Sequence, residues 1–331
     1  MGNIDSLTQS LVVYSEKLSK RGEDAALLMV NDTASLAGVF DGLGGSGARS
    51  YSRAGFKSGA YLASRIVALT VRDWFKTLSE NSAFGNSAPG SFDFGEGEAA
   101  ELKKLLKDSL LKFKAALKED QGSRLKSSFS KELPTTMAVQ LVLPPSERRK
   151  YFKANFMWAG DSRGYIFDED GLHQITRDDN DVADPFENIS ADGKMTNVIY
   201  AGGNFTVHFR SVPMKKPFLS FAASDGCFGY FSSPMEFEYH FLKALTGAAN
   251  FREAERCLHD CFAARAEDDF SFAGLFYYGE DLDIFRKQAK KRLQKLEHLI
   301  ARIRTGGDEA RRAIWQEEYR KGYLSLVRDL L

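Results

Sequence analysis

The chain is poor in the features that mark membrane, secreted and nucleic-acid-binding proteins. No apolar run approaches the ~20 residues of a membrane-spanning helix, and no secretory hydrophobic segment opens the sequence. Its three cysteines, Cys227, Cys257 and Cys261, have the spacing of neither a disulfide framework nor a zinc site. The 45 basic side chains balance 45 acidic ones, which argues against a dedicated nucleic-acid binder. We therefore expect a cytoplasmic protein with no membrane span and no nucleic-acid partner.

The 331 residues are enough for one large hydrophobic core or two ordinary ones. The hydrophobic share of 43% and the charged share of 27% are typical of soluble globular proteins. We predict a main domain over residues 1–280 and a helical hairpin extension over 281–331. Apolar residues of the extension recur at helical spacing on both sides of Gly306-Gly307. Such a tail either packs on the main domain or docks a partner, and the sequence favours packing because a long exposed apolar stripe would be sticky.

Short apolar runs bounded by turn residues predict strands, and longer amphipathic segments predict helices. The predicted strands cover 11–14, 25–30, 36–40, 136–143, 151–159, 165–167, 172–175, 205–209, 218–223 and 271–278. The predicted helices cover 50–78, 99–118, 234–245 and 251–264. In the first of them Phe56 begins the apolar stripe. Strands joined by hairpins, with helices grouped in pairs, favour antiparallel sheets covered by helices in an α+β fold.

Four acids lie at the ends of predicted strands or just before them: Asp24, Asp41, Asp225 and Asp268. Asp41 ends the run 36–40, and the glycine-rich turn that follows allows the backbone to approach a ligand. Any one of these acids alone is more often a solvated turn residue. Carboxylates clustered together could not all stay charged without cations between them. Oxygen ligands without histidine or thiolate favour Mg²⁺ or Mn²⁺ over zinc.

The segments around these acids resemble the motifs of the PP2C (PPM) family of metal-dependent protein phosphatases. The resemblance covers about residues 8–279 and is carried by seven segments in the family's order. They are Arg21-Gly22-Glu23-Asp24-Ala25, Val39-Phe40-Asp41-Gly42-Leu43-Gly44-Gly45, Thr135-Thr136-Met137-Ala138, Ala159-Gly160-Asp161-Ser162-Arg163, Ile175-Thr176-Arg177-Asp178, Ala223-Ser224-Asp225-Gly226 and Asp268-Asp269-Phe270-Ser271. Each motif is weak singly, but their common order makes the resemblance specific.

The resemblance implies a four-layer α-β-β-α sandwich of two antiparallel sheets flanked by helices, with a binuclear metal site at one end. Asp41 would bridge two Mg²⁺ or Mn²⁺ ions and the Gly42 carbonyl would bind one of them. Asp225 and Asp268 would complete the other site, and Asp24 and Glu23 would act through waters. The catalytic set would be Asp41, Asp225 and Asp268. The implied reaction is hydrolysis of phosphoserine or phosphothreonine in a protein, which makes a cognate Ser/Thr kinase a candidate partner.

Three departures from the family pattern bear on activity. Ser19 stands where the family has its phosphate-binding arginine, which leaves Lys20 and Arg21 as candidates for that role. Leu43 replaces a histidine found in eukaryotic members. Gly229 replaces an acid of the third metal site, so a third ion, with Asp161 as its remaining ligand, should bind weakly or not at all. The alternatives are a pseudophosphatase that serves as a binding or scaffold module, and a metal hydrolase with another phosphoester substrate.

Overall fold

The structure is a computed structural model that describes residues 9–19, 21–31, 33–80, 94–117, 131–146, 149–181, 194–278, 282–305 and 308–318. All structural statements below concern these residues. Several predicted features lie wholly or partly outside them. These are the turn residue Asp32, most of the predicted loop at 81–97, the middle of a polar surface excursion predicted at 177–194, and the final residues of the last predicted helix.

Two five-stranded antiparallel sheets form the centre of the molecule. The first has the order β1-β12-β11-β8-β9 and the second the order β10-β7-β6-β3-β2. The strands of the first sheet are β1 (Gln9–Ser15), β8 (Arg163–Asp168), β9 (Gly171–Gln174), β11 (Leu219–Ala223) and β12 (Phe270–Phe276). Those of the second are β2 (Ala25–Val30), β3 (Ser35–Phe40), β6 (Met137–Leu143), β7 (Phe152–Ala159) and β10 (His208–Met214). A two-stranded hairpin, β4 (Ser50–Tyr51) with β5 (Lys57–Ser58), lies outside both sheets.

The helices cover the outer faces of both sheets. They are α1 (Gly44–Gly47), α2 (Gly59–Glu80), α3 (Glu96–Ala116), α4 (Asp225–Phe228), α5 (Pro234–Gly247), α6 (Phe251–Ala263), α7 (Asp283–Thr305) and α8 (Asp308–Glu318). Trp74 and Leu106, from α2 and α3, share a core with Leu141 of the second sheet. Phe241 and Phe285, from α5 and α7, share another with the first sheet. The predicted four-layer α-β-β-α sandwich is confirmed.

The central strands are buried along their whole length because each has the other sheet on one side and helices on the other. This explains why β3, β6, β11 and β12 are near-continuous apolar runs instead of alternating ones. One polar side chain crosses between the sheets. Gln140 of β6 donates from Nε2 to the carbonyls of Ser220 (3.0 Å) and Ala273 (3.1 Å), and it accepts from the Ser220 hydroxyl at 2.9 Å. These bonds satisfy the amide and tie the two sheets together.

The long C-terminal helix α7 packs on α5 through a buried ion pair. Arg292 donates from Nε and Nη2 to the two carboxylate oxygens of Glu238, each at 2.7 Å, and Glu238 is fully buried. The backbone N–H of Leu172 donates to the same carboxylate at 3.0 Å. Phe285, Ala289 and Leu296 complete the buried side of the helix. This side of the tail therefore packs on the protein, while the proposed domain division at residue 280 stays a prediction.

The helix predicted to begin at residue 50 begins at Gly59 instead. Residues 50–58 form the β4–β5 hairpin, with Ser50 opposite Ser58 and Tyr51 opposite Lys57. Phe56, predicted to lie on the buried stripe of the helix, is 76% exposed. The helical spacing of Phe56 to the next apolar residues is coincidental, because Gly55 reverses the chain with a φ of +68°.

The strand predicted at 205–209 was also misplaced, since β10 runs from His208 to Met214. Asn197 exchanges two side-chain hydrogen bonds with the backbone of Thr206, at 2.9 and 3.0 Å, and these replace strand pairing there. Pro213 is accepted within β10 because this strand is at the edge of its sheet. No helix in the described part of the chain is long and apolar enough to cross a membrane.

Candidate metal centre

The pairing register brings the predicted acids to one end of the sandwich. In the second sheet Ala25 pairs with Phe40 and Met137 with Ala159. The start of β2 and the ends of β3 and β7 therefore meet at the same end of the sheet. Asp24 lies just before β2, and Asp41 and Asp161 lie just after β3 and β7. In the first sheet Ala223 pairs with Phe272, so Asp225 and Asp268 lie near each other at the corresponding end.

Asp24 is the buried centre of this group, with 1% of its surface exposed. Its Oδ2 accepts hydrogen bonds from the hydroxyls of Ser224 and Ser271, both at 2.7 Å. Ser224 follows β11 and Ser271 is the second residue of β12, so Asp24 joins the loop before β2 to the first sheet. The carboxyl group of Asp41 in turn forms hydrogen bonds with the carboxyl groups of Asp24 and Asp225. Acids that are about 200 residues apart in sequence thus lie in direct contact.

Burial and mutual repulsion hold protons on these acids. Burial, followed by the charge of Asp225, raises the pKa of Asp24 to about 7, although the two serine hydroxyls oppose the rise. Burial, followed by the charges of Asp24 and Asp225, raises the pKa of Asp41 well above its ordinary range. Such groups ionise together only if cations compensate them.

The outer acids are perturbed in the same direction. Burial, followed by the charges of Asp225 and Asp178, raises the pKa of Asp161 to about 8. Asp225 is exposed as a residue, but the protein around its carboxyl group reduces the hydration of the charged form. This desolvation, followed by the charge of Asp268, raises the pKa of Asp225 as well. The guanidinium group of Arg163 opposes both shifts. Its own carboxylate partner is Asp178, which it binds with Nε and Nη2 at 3.0 and 2.7 Å.

The backbone around Asp41 and Gly42 is fixed by the start of β6. The Asp41 carbonyl accepts from the N–H of Thr136 (2.8 Å) and from the hydroxyl of Thr135 (2.7 Å). A Cβ at Gly42 would lie 2.6 Å from the Ala60 carbonyl oxygen and 2.8 Å from that of Glu23. Only glycine permits this close approach of three backbone segments.

Glu23 lies at the rim of the centre, where its carboxylate accepts from the Ser58 hydroxyl. Burial raises the pKa of Glu23, with smaller contributions from the charges of Asp269 and Asp268. Of the two candidates for phosphate binding, Arg21 is exposed on the same loop. Lys20 lies outside the described residues.

Two residues that sequence reasoning gave no role hold the loop that carries Glu23 and Asp24. Asp269 accepts the backbone N–H groups of Lys17 (2.7 Å) and Glu23 (2.6 Å) on its two carboxylate oxygens. Arg65 of α2 donates to the carbonyls of Gly22 (3.0 Å) and Glu23 (3.3 Å). Asp269 belongs to the motif Asp268-Asp269-Phe270-Ser271, so the sequence did contain a signal for its role. No sequence feature singled out Arg65.

The donor set has the chemistry that hard divalent cations require, namely carboxylate and backbone carbonyl oxygens. Asp161 adds an Oδ1 that is buried and has no hydrogen-bond partner among the described residues, as an oxygen facing a cation would. As the side chains stand, however, no group of three or more His, Cys, Asp or Glu within the described ranges is arranged so that it could hold a metal ion. The oxygen donors are of the type that these ions bind, but the carboxyl groups would have to move to enclose an ion.

Of the comparisons with known proteins, the one with solved structures identifies the fold. No family model matches the sequence, and no curated protein matches it. Among solved structures, the Mycobacterium tuberculosis serine/threonine phosphatase PstP/Ppp is similar with a TM-score of 0.54 and 14% identity, over 82% of this chain and 99% of that one. The serine/threonine phosphatase Stp1 from Staphylococcus aureus is similar with a TM-score of 0.55 and 17% identity, over 82% of this chain and 95% of that one.

A third similar structure is the catalytic domain of serine/threonine protein phosphatase PstP in complex with two manganese ions. It has a TM-score of 0.51 and 14% identity, over 82% of this chain and 98% of that one. At these identities the likeness establishes the fold. The chain therefore has the fold of the bacterial serine/threonine phosphatases, and the resemblance to the PP2C family that its motifs carry is confirmed at that level.

Proposed function

We propose that the protein is a metal-dependent phosphatase that hydrolyses phosphoserine and phosphothreonine in proteins. The observation that carries the proposal is the contact of Asp24, Asp41 and Asp225 at one end of a phosphatase fold. A binding module has no use for crowded carboxyl groups that repel one another. A centre that takes up cations does, because the ions remove the repulsion.

The residues that would hold two Mg²⁺ or Mn²⁺ ions are Asp24, Asp41, the Gly42 carbonyl, Asp225 and Asp268. Two such ions, when bound, would acidify a water between them and neutralise the phosphoryl oxygens in the transition state. The manganese complex of the PstP catalytic domain supports this choice of metal. The Gly229 position offers no side chain, so Asp161 alone should hold a third ion weakly.

This chain's own residues fix the geometry of that centre. Ser224 and Ser271 orient the Asp24 carboxylate, while Thr135 and Thr136 hold the Asp41 carbonyl. Arg163 binds Asp178 with two hydrogen bonds, and its guanidinium carbon lies 4.0 Å from the centroid of the Phe228 ring. These structural contacts occupy the guanidinium group, so we do not assign phosphate binding to it. Lys20 and Arg21 therefore remain the candidates for phosphate binding. The substrate would be a phosphoprotein made by a Ser/Thr kinase in the cytoplasm.

A second candidate is a pseudophosphatase that binds phosphoproteins without hydrolysing them. Two observations favour it. The carboxyl groups do not enclose an ion in their present positions, and Ser19 and Gly229 replace the family's phosphate-binding arginine and an acid of its third metal site. A metal hydrolase that acts on another phosphoester is the third candidate.

Hydrolysis of p-nitrophenyl phosphate in Mn²⁺ by wild type and by Asp41→Asn separates the first two candidates. We expect Mn²⁺-dependent turnover in wild type and a loss of at least about 100-fold in Asp41→Asn, since the variant lacks a carboxylate that would hold the ions. Asp108→Asn, which removes an exposed acid from α3, is the matched control and should behave as wild type. If wild-type turnover does not exceed that of Asp41→Asn, the scaffold role is the better account. Phosphoserine peptides compared with phosphodiesters define the substrate class.

A further inference from the structure

Phe56 combines two unfavourable features in one residue. It is the most exposed large apolar side chain among the described residues, at 76%. Its backbone has a φ of +61°, a left-handed conformation that bulky residues avoid. Glycine at this position would remove both the backbone strain and the exposed ring. The backbone strain is not offset by burial of the side chain, which points to a role outside folding.

The hairpin that carries Phe56 is attached to the candidate metal centre. Two residues after Phe56, the Ser58 hydroxyl donates to the Glu23 carboxylate. The next residues begin α2, where the Ala60 carbonyl lies against Gly42. The Gly59 N–H donates to the Arg49 carbonyl at 2.8 Å and closes the base of the hairpin. Phe56 therefore lies on a support that contacts the rim of the centre.

Local hydrogen bonds fix the backbone that carries the Phe56 ring. The Phe56 N–H donates to the Tyr51 carbonyl at 2.9 Å, and the Gly55 N–H donates to Ser52 at 3.0 Å. Tyr51, only 5% exposed, anchors the hairpin in the core. Lys57 places its ammonium group 4.2 Å from the centroid of the Tyr61 ring, so that cation is turned back onto α2. At this turn the Phe56 ring projects into solvent, whereas Lys57 is half-buried.

We propose that Phe56 is a specificity residue that contacts an apolar side chain next to the phosphorylated residue of the substrate protein. This inference rests on the proposed phosphatase function and adds a substrate preference to it. An aromatic ring on a fixed backbone provides a large contact area at little cost in side-chain entropy. Strained backbone is concentrated at ligand-contacting positions of proteins, and Phe56 combines such a backbone with an exposed ring two residues before Ser58 at the rim of the centre.

The test compares two phosphoserine peptides that differ only in the residues flanking the phosphoserine, leucine in one and serine in the other. We expect wild type to show a kcat/KM about tenfold higher for the leucine peptide, the effect of partly burying a leucine side chain. In Phe56→Gly the ratio should fall to about one. Its melting temperature should rise by about 2 °C, because glycine accepts the left-handed conformation.

Tyr151→Ala is the matched control. Tyr151 is an exposed aromatic residue (40%) just before β7, at the opposite end of that strand from Gly160-Asp161. Its removal should leave the leucine preference at the wild-type value. The melting temperature of Phe56→Gly shows independently that the variant is folded.

An unchanged leucine preference in Phe56→Gly would overturn the inference. So would equal losses on both peptides and on p-nitrophenyl phosphate, since they would mean that the ring supports the centre itself. If wild type fails to hydrolyse p-nitrophenyl phosphate, the proposed function fails separately. Binding of the two peptides by fluorescence anisotropy then decides the inference, which stands if Phe56→Gly abolishes a wild-type preference for leucine and falls if it does not.

Discussion

Replacing Asp24 by asparagine should stabilise the metal-free protein at alkaline pH while it impairs the centre. The change keeps an oxygen that can accept from Ser224 and Ser271, and it gives Asp41 an amide donor in place of a second acid. Only the titratable charge is lost. The effect on stability therefore measures how strongly the acids oppose one another.

The sign follows from the direction of the pKa shift. The Asp24 carboxyl has an ordinary pKa of 3.8, which the folded protein raises to about 7. Between these values the unfolded chain has lost the proton and the folded chain keeps it, so folding stability falls as the pH rises through this window. Below pH 3.8 the penalty is absent, and above pH 7 it is complete. A shift of about three pKa units corresponds to a free energy of unfolding lower by roughly 4 kcal/mol at pH 8.

The assay is thermal unfolding of wild type and Asp24→Asn in a chelating buffer at pH 4.5 and pH 8. At pH 8 the variant should melt roughly 8 °C higher, since about 1 kcal/mol moves the melting temperature by about 2 °C in a protein of this size. At pH 4.5 the difference should shrink to about 2 °C, because the penalty is then mostly absent. Mn²⁺ should raise the melting temperature of wild type more than that of the variant, because ligand binding stabilises the folded state.

Two further variants separate charge from hydrogen bonding. Asp24→Ala removes the charge but leaves the buried hydroxyls of Ser224 and Ser271 without their acceptor, so it should be less stable than Asp24→Asn by about 2 kcal/mol. Asp108→Asn removes an exposed acid and should melt as wild type does at both pH values. If Asp24→Asn melts at or below the wild-type temperature at pH 8, the acids do not repel one another as inferred.

Two other predictions concern residues that hold the centre and the tail in place. Asp269→Asn keeps one acceptor for two backbone N–H groups, so hydrogen exchange at Lys17 or Glu23 should accelerate and Mn²⁺ affinity measured by calorimetry should fall about tenfold. Unchanged Mn²⁺ affinity would show that this loop needs no such support. Arg292→Met leaves the Glu238 carboxylate buried without its partner and should lower the free energy of unfolding in urea by about 3–5 kcal/mol. The double variant Glu238→Leu/Arg292→Met should recover most of the loss, and a single-variant loss below about 1 kcal/mol would contradict the assignment.

Most strands of the two large sheets were predictable because they are short apolar runs that end at turn residues, as in β3 and β12. The exception is β10, which has the mixed sequence His208–Met214. The start of α2 was not predictable, because a stripe at helical spacing continues backwards from Ala60 to Phe56 by chance. Periodicity does not distinguish a buried aromatic residue from one that a glycine turn directs into solvent. Gly55, which forms the turn, and Gly59, at which α2 begins, were the signals that the helix starts after residue 55.

The acids of the candidate centre were predictable for a related reason. Each follows or precedes a recognisable strand, and the register of two antiparallel sheets brings those strand ends together. The support of the centre was not predictable in this way. Asp269 acts on the backbone of a residue 246 positions away, and Arg65 acts on one 43 positions away. Contacts to backbone atoms leave no pattern in the sequence, so only the folded chain reveals them.

These supports also bear on the missing arginine. The loop at 17–24 has Ser19 where the family places its phosphate-binding guanidinium group. Arg65 brings a guanidinium group to the same loop, but its donors bind the carbonyls of Gly22 and Glu23 and its plane lies 3.6 Å from the Tyr61 ring centroid. It therefore fixes the loop and is not available to grip a phosphate. On the proposed function, the positive charge that the substrate phosphate needs must come from the ions and from Lys20 or Arg21, and not from Arg65. Substitution of Asp41, which acts on those ions, is for this reason a more decisive test than substitution of Arg21.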